Sequence, residues 1–397
     1  MMPSLEELFA SGTLVRPLGD EPNLVHLVQS LAALTGVPDI NRAGSVGRLV
    51  NLIGAAEHLV FILVDGLGMN LIRRLPPESF LASHLRLPIL ATCPSTTACA
   101  LTSVATGLFP AQHGVTGWFT HIPEMKLTAT VLPFVERFDG KALADRGIKV
   151  EDIIPVAPLL PRMRHTPYSL TPSYISNTPY NRFVRGGTGG EGYKTIPDAV
   201  RQVVEHVKSS SEPTYTHLYI PDVDTLCHHV GVAHDDVLPL VQHIDAELRR
   251  LADKLAGRAR MVISADHGLI DVPKRDQTLL YAGDPMLDLL EVPPSGDARM
   301  PVFHLKQGAD NDFRAMFGER FGDQMTLIDP AEAERLHLFG PTALASGVRR
   351  RFGDYIAFPF RPATIGYHPP DKPPGHLFLA VHGGLSPDEM WVPLCVV

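Results

Sequence analysis

Short apolar runs that end on an aspartate or a histidine recur four times in this sequence. Each run has the length and composition of a buried β-strand. Because the carboxyl ends of parallel strands meet at one edge of a sheet, we expect the polar residues that follow them to lie close together. The runs and their polar residues are 59–64 with Asp65, 216–220 with Asp222, Asp224 and His228, 261–265 with Asp266 and His267, and 376–381 with His382. The pattern predicts one metal-type site at a sheet edge.

Helical patterns between these runs indicate an α/β protein. We expect a helix over 195–209 and a second over 235–256, whose apolar residues recur at amphipathic spacing. Strands that alternate with helices predict a mostly parallel sheet covered on both faces, and we place the run 354–358 in this sheet as well. The 397 residues, 45% of them hydrophobic, suffice for one large domain with insertions or for two ordinary domains.

Two segments interrupt the regular pattern. Residues 118–195 are rich in proline and glycine, and we interpret them as a lid or substrate wall, with 186–192 as a flexible flap. Residues 291–340 read as a small α/β insertion. The catalytic domain is therefore predicted to comprise 1–290 and 341–397.

Composition excludes several classes of protein. The net charge of −8 argues against a protein that binds a nucleic-acid polymer. The four cysteines are scattered without a CxxC pair, which argues against a disulfide framework or a structural zinc site. We see no signal peptide and no membrane span, and we expect a cytoplasmic protein that does not bind membranes.

The side chains at the strand ends are suited to metal-assisted phosphoryl transfer. Aspartate and neutral histidine bind Zn²⁺ well, and Mn²⁺ is the alternative. Two neighbouring ions need about six ligands and a nucleophile. The six candidate ligands are Asp65, Asp224, His228, Asp266, His267 and His382. For the nucleophile we choose Thr97, at the start of a predicted helix where free backbone N–H groups favour an anion, while Ser95 and Thr96 stay open as alternatives.

These motifs, taken in order, resemble the alkaline phosphatase superfamily and more closely its type I phosphodiesterase / nucleotide pyrophosphatase branch. They span positions 65 to 384. The motifs are Asp65-Gly66, Thr97 with 106–114, Asp224-x-x-x-His228, Ser264-Ala265-Asp266-His267-Gly268 and His382-Gly383-Gly384. The resemblance implies an alkaline-phosphatase-like three-layer sandwich with a small inserted subdomain. It also implies one metal held by Asp65, Thr97, Asp266 and His267 and another held by Asp224, His228 and His382.

Some positions depart from the family pattern. Diesterases of this family carry an asparagine that contacts the phosphate, and the corresponding residue here is Trp118, whose bulky indole donates a single hydrogen bond. Trp118, Tyr174 and Tyr180 are candidates to stack on an aromatic part of the substrate, or they are ordinary packing residues. The ending from His382 also resembles the phosphoglycerate-mutase-like branch.

We therefore predict a metal-dependent hydrolase of small phosphoesters or nucleotides. Its expected function is that of a phosphodiesterase or nucleotide pyrophosphatase, with a phospho- or nucleotidyl-threonine intermediate at Thr97. The alternatives are a phosphomonoesterase or phosphomutase-like enzyme on the same scaffold and, from another class, a binding protein that has kept the fold without activity. The sequence leaves the oligomeric state open.

Overall fold

The computed structural model describes residues 2–370 and 377–397, and its centre is a seven-stranded sheet. In chain order the strands are β1 (His58–Val64), β2 (Leu85–Leu90), β3 (Phe119–Ile122), β4 (Leu127–Thr130), β5 (Val135–Glu136), β6 (Thr166–Pro172), β7 (Gly189–Tyr193), β8 (Thr214–Ile220), β9 (Ala259–Ser264), β10 (Ile270–Asp271), β11 (Gln277–Leu280), β12 (Leu290–Asp297), β13 (Met300–Leu305), β14 (Met325–Ile328), β15 (Tyr355–Pro359), β16 (Thr364–Tyr367), β17 (Ala380–Val381) and β18 (Trp391–Val396).

The central sheet is mostly parallel, as the sequence predicts. Its order is β2-β18-β9-β1-β8-β6-β7, and β18 alone runs antiparallel to its neighbours. Every residue of β1 and β8 is buried, which explains the continuous apolar run 59–64 of β1. Since β9, β1 and β8 are adjacent and parallel, their carboxyl ends lie side by side.

Helices cover this sheet in two groups. One group contains α2, α3 and α6, and the other contains α5, α10, α11 and α12. The helices are α1 (Leu5–Ala10), α2 (Leu24–Leu34), α3 (Gly44–Ile53), α4 (Met69–Ile72), α5 (Phe80–His84), α6 (Thr97–Thr106), α7 (Pro110–His113), α8 (Val150–Ile153), α9 (Pro179–Arg185), α10 (Ile196–Ser209), α11 (Asp222–Val230), α12 (Val237–Leu255), α13 (Pro285–Asp288), α14 (Asp310–Phe321), α15 (Pro330–Arg335) and α16 (Pro387–Met390). Across 2–370 and 377–397, no helix is both long and apolar enough to cross a membrane.

A second seven-stranded sheet contains segments that the sequence analysis assigned to the main sheet or to a separate insertion. Its order is β14-β15-β13-β12-β3-β4-β5, with antiparallel pairing. The prediction that 354–358 belongs to the main sheet is wrong, because β15 pairs here with β13 and β14. The predicted insertion 291–340 supplies β13, β14 and most of β12 to the same sheet, and α14 packs three phenylalanines on it. Its status as a separate unit stays a prediction.

Two further expectations differ from the structure. The last predicted strand, 376–381, is reduced to β17, which pairs with β10 outside the main sheet, and His376 lies outside the described residues. Within 118–195, the expected flap 186–192 contains the start of β7, an edge strand of the main sheet that pairs with β6. Backbone pairing along an open sheet edge therefore orders a segment that its glycines had marked as mobile.

Candidate active site

The predicted ligands come together at the carboxyl edge of the central sheet. Asp65 follows β1, and Asp266 and His267 follow β9. Asp224 lies in the first turn of α11, where its N–H donates to the Asp65 carbonyl at 3.2 Å. Gly66 turns the chain with φ +74°, and a Cβ there would lie 3.0 Å from the Asp224 Cα. The glycine after the aspartate thus permits the close approach of the two strand ends.

One group of side chains surrounds His267. Its Nε2 lies 3.1 Å from the Thr97 hydroxyl oxygen. The same nitrogen lies 3.4 Å from Asp65 Oδ1 and 3.4 Å from Asp266 Oδ2. These four residues are the set that the resemblance implies for one metal.

The second group centres on Asp224. Its Oδ2 lies 3.2 Å from His228 Nε2, one helical turn away, and its Oδ1 lies 3.6 Å from His382 Nε2. The His382 ring stacks on the His267 ring with centroids 3.7 Å apart. Ligand atoms of Asp224, His267 and His382 all lie within 4.8 Å of one another, so the two groups adjoin.

Backbone carbonyls fix the orientation of all three imidazoles. Each Nδ1 faces a carbonyl oxygen and leaves Nε2 turned toward the carboxylates. The pairs are His228 with Ala380 at 2.7 Å, His267 with Gly268 at 3.1 Å and His382 with Ser95 at 3.2 Å. A neutral imidazole that donates from Nδ1 presents the lone pair of Nε2, which is the arrangement found in metal-binding histidines.

Each of the three aspartates keeps one buried oxygen without a hydrogen-bond partner among the described residues. These atoms are Asp65 Oδ1, Asp224 Oδ1 and Asp266 Oδ2. Their other oxygens are engaged: Asp65 Oδ2 accepts from the Tyr219 hydroxyl, and Asp266 Oδ1 accepts from the N–H groups of Gly66 and His267. Buried carboxylate oxygens rarely stay unpaired, and here they face imidazole lone pairs, so the donor set fits divalent cations such as Zn²⁺ or Mn²⁺.

The electrostatics of the site also favour cations. Burial raises the pKa of Asp65 well above its usual value, and the carboxylates of Asp266 and Asp224 raise it further. Burial likewise raises the pKa of Asp266 and lowers that of His382. For Asp224, burial raises the pKa, but the close contact with His228 outweighs burial and the net shift is downward. Three carboxylates in one buried volume repel each other, and positive charge between them relieves that repulsion.

The structure separates the three neighbouring hydroxyls. Ser95 donates to the Gly384 carbonyl at 2.7 Å and so ties down the loop that carries His382. Thr96 is the N-cap residue of α6, but its hydroxyl caps no N–H. Thr97 is the first helical residue, and its side chain faces both His267 and an adjoining cavity.

A cavity of about 410 Å³ opens beside Thr97, Asp65 and Asp224. More than half of its lining residues come from 118–195, and the role of that segment as a substrate wall stays a prediction. Trp118, Tyr174 and Tyr180 all line it. Tyr174 is 75% exposed at the rim, whereas Tyr180 is buried.

Several residues that support the site were not foreseen. Arg299 and Glu389 form a bidentate ion pair, at 3.0 and 2.6 Å, that is almost completely buried. Glu389 also accepts the Gly384 N–H at 2.8 Å, and half-buried Asp297 accepts the Trp118 backbone N–H at 2.9 Å. These contacts hold the His382 loop and Trp118, but no spacing in the sequence links such distant positions.

A family model for type I phosphodiesterase / nucleotide pyrophosphatase matches residues 59–320, well over half of the chain. The chain belongs to this family. The resemblance inferred from the motifs is thereby confirmed, and the protein is a phosphoester hydrolase. No curated protein sequence matches the chain.

Solved structures share the fold of this phosphodiesterase family member. Murine ectonucleotide pyrophosphatase / phosphodiesterase 5 is 14% identical with a TM-score of 0.63, over 85% of this chain and 87% of that one. Its inactive variant in complex with AMP gives a TM-score of 0.61 at 14% identity, with the same coverage of both chains. Phosphonoacetate hydrolase from Sinorhizobium meliloti 1021, in complex with phosphonoformate, is 17% identical with a TM-score of 0.59, over 85% and 89%. The alkaline-phosphatase-like fold class is confirmed.

Proposed function

We propose that this chain is a phosphodiesterase or nucleotide pyrophosphatase that acts through a covalent intermediate on Thr97. The observation that carries the proposal is the position of the Thr97 hydroxyl, 3.1 Å from His267 Nε2 and in the lining of the cavity. The substrate class is a small phosphoester or a nucleotide, in line with the AMP complex of the murine relative.

Two divalent ions, Zn²⁺ or alternatively Mn²⁺, would complete the site. Asp65, Thr97, Asp266 and His267 would hold one ion, and Asp224, His228 and His382 would hold the other. Bound there, the ions would supply Lewis-acid charge that stabilises the transferred phosphoryl group and favours the ionised hydroxyl of the nucleophile.

The chain itself positions the reacting groups. Thr97 opens α6, so unpaired backbone N–H groups at the start of this helix point toward a phosphate bound at the hydroxyl. Its oxygen would attack phosphorus, the bond to the leaving alcohol or phosphate would break, and water would later release the phosphoryl group from Thr97. The hydrogen bonds that Nδ1–H of the three histidines donates to backbone carbonyls keep Nε2 directed at this centre throughout.

Space beside the nucleophile favours a diester over a monoester. The cavity of about 410 Å³ begins at Thr97 and is walled mainly by Leu101, Val104, Leu132 and other apolar side chains. A second organic substituent on phosphorus would bury apolar surface there, whereas a monoester would leave either the cavity or the leaving-group side unfilled.

The proposal is tested by comparing rates on bis-p-nitrophenyl phosphate, p-nitrophenyl phosphate and a nucleotide ester, with Zn²⁺ or Mn²⁺ added. We expect the diester or the nucleotide ester to be preferred, and Thr97→Ala to lower turnover by at least about a thousandfold while the protein stays folded. Ser209→Ala, which removes an exposed hydroxyl from the end of α10, serves as the control. A clear preference for the monoester would favour the phosphomonoesterase alternative, and full activity of Thr97→Ala would refute the assigned nucleophile.

A further inference from the structure

The floor of the cavity carries a row of polar side chains from two neighbouring strands. His217 on β8 is paired in register with Ser169 on β6, so both side chains lie on the same face of the sheet. Thr171 continues the row on β6, and Tyr219 continues it on β8 toward Asp65. Residues two apart on a strand are separated by roughly 7 Å. His217 therefore lies one such step beyond the tyrosine that contacts the metal-type site.

The Nε2 atom of His217 is a buried polar atom without a hydrogen-bond partner among the described residues. Its side chain is 6% exposed, and Nε2 makes no hydrogen bond to any residue of 2–370 or 377–397. The Phe61 ring stacks against it with centroids 5.6 Å apart. Burial lowers the pKa of His217 to about 4, so the ring is neutral at pH 7 and offers one donor and one acceptor. An unsatisfied buried polar group of this kind is costly unless a ligand satisfies it.

Two hydroxyls next to His217 are similarly available. Ser169 and Thr171 are 4% and 6% exposed, and neither side chain hydrogen-bonds to another residue within the part of the chain that the structure describes. Together with His217 they form a small polar patch between mainly apolar walls. Such a combination orients a mainly apolar ligand through a few directed hydrogen bonds.

The charge of the cavity limits what can bind there. No lysine or arginine lines it among the described residues, and its charged lining residues are Asp65 and Asp224 of the metal-type site. A second phosphate or a carboxylate placed inside would be desolvated without a counter-charge, which is strongly unfavourable. In the proposed function Asp65 and Asp224 would hold metal ions, which leaves no lining carboxylate to pair with a cationic substituent, so the occupant is uncharged.

We propose that His217, supported by Ser169, is a specificity-determining residue that hydrogen-bonds to the far end of an uncharged, largely apolar substituent of the phosphoester. The inference rests on the proposed function and names the class of substrate that this site accepts. A ligand without a polar group at its far end leaves His217 unpaired and is discriminated against, as in other sites built around a buried hydrogen bond.

The test uses three symmetrical diesters, so that the same aryl group enters the cavity whichever ester bond is cleaved. They are diphenyl phosphate, bis(4-carbamoylphenyl) phosphate and bis(4-carboxyphenyl) phosphate, and released phenol is measured by chromatography. Each variant is compared with the unmodified protein on the same diester, which removes differences in leaving-group reactivity. The variants are His217→Phe, His217→Asn and the control His206→Phe, which replaces another histidine with an unpartnered buried Nε2, on α10 outside the cavity.

We expect His217→Phe to lower kcat/KM for the carbamoyl diester about tenfold more than for diphenyl phosphate, since one hydrogen bond to a neutral group is worth about that ratio. His217→Asn should recover part of the loss, and His206→Phe should change neither ratio. For the unmodified protein, kcat/KM divided by the uncatalysed hydrolysis rate should be at least about tenfold lower for the carboxylate diester than for the carbamoyl diester. Thermal melting and metal content of each variant identify a folding defect, and His217→Asn carries the comparison if His217→Phe does not fold.

If His217→Phe lowered kcat/KM equally for the carbamoyl diester and diphenyl phosphate, or lowered neither, the role of His217 would be overturned. A preference for the carboxylate diester would overturn the uncharged class of substrate. If the unmodified protein hydrolysed no phosphoester, the proposed function would fail and the inference with it. Hydrolysis of diphenyl phosphate without any effect of His217 would refute the inference alone.

Discussion

Replacing Gly268 with alanine should lower catalytic activity while the protein still folds. This glycine directly follows His267 and makes the tightest backbone contact near the site. A Cβ on Gly268 would lie 2.0 Å from the Asp388 carbonyl oxygen and 3.0 Å from the Gly68 Cα. Both are backbone atoms, so no side-chain rotation relieves the overlap. The Gly268 N–H also donates to the Glu389 carbonyl at 2.9 Å, which keeps the two segments together.

The size of the effect follows from this geometry. An ordinary contact of 3.4 Å requires the Cβ and the Asp388 oxygen to move apart by about 1.4 Å from the 2.0 Å of the native backbone. Movement of this size at Gly268 displaces the adjacent His267, whose Nε2 lies 3.1 Å from the Thr97 hydroxyl. A misplacement of about 1 Å costs on the order of a hundredfold in rate, or about 2.7 kcal/mol of transition-state stabilisation. The overlap itself should destabilise the fold by about 1–3 kcal/mol.

The assay measures kcat/KM on the best phosphodiester, together with metal content and the free energy of unfolding in urea. Gly318→Ala is the matched control, because this glycine lies inside α14 with nothing within 4 Å of an added Cβ. It should stabilise the fold by about 0.5–1 kcal/mol without changing activity. Turnover of Gly268→Ala within about threefold of the unmodified protein would refute the reasoning that this contact positions His267.

Three further predictions concern the buried ion pair, the number of bound metal ions and the dependence of stability on pH. Glu389→Gln breaks the buried pair with Arg299 and should destabilise the fold by about 3–5 kcal/mol in urea unfolding; a loss under about 1 kcal/mol would contradict it. His382→Ala should reduce bound metal from two ions toward one by elemental analysis, and unchanged stoichiometry would exclude the assigned ligand set. Burial lowers the pKa of His113 and of His304 to about 3, so the unfolded state binds more protons below about pH 6.5. Stability should therefore fall as the pH drops from 6.5 toward 3, by up to about 1.4 kcal/mol per unit for each histidine, and equal urea stability at pH 7.5 and 5 would contradict this.

The strands that build the site could be predicted, because their apolar sequence pattern directly reflects their buried position in the central sheet. An apolar run such as β1 is buried on both faces only in the middle of a parallel sheet, so the residue after it, Asp65, must lie at the carboxyl edge. The same logic places Asp266 and His267. Pattern alone could not assign β15 to the second sheet, because a short apolar run does not reveal which distant strand it pairs with.

The remaining contacts of the site depend on long-range packing. In the sequence, Tyr219 is one residue of a predicted strand, and nothing marks it as part of the site. The fold brings its hydroxyl to Asp65, to which it donates a hydrogen bond. Arg299 and Glu389 lie ninety residues apart in the sequence, and both are of residue types that usually lie at the surface. Here the fold buries them both. Residue type alone could not decide which of the three consecutive hydroxyls, 95–97, is the nucleophile. Their different positions in the site follow from the start of α6 at Thr97.

The central claim is that Thr97 forms a covalent bond to the phosphoryl group of the substrate. Acid quenching during steady-state turnover of the preferred diester, followed by proteolysis and mass spectrometry, measures this directly. We predict that the peptide containing Thr97 gains the mass of the transferred phosphoryl or nucleotidyl group, with the modification on that side chain. An unmodified Thr97 peptide, under conditions where the site is shown to turn over and the adduct would be stable to acid, or an adduct on Ser95 or Thr96 instead, would contradict the claim.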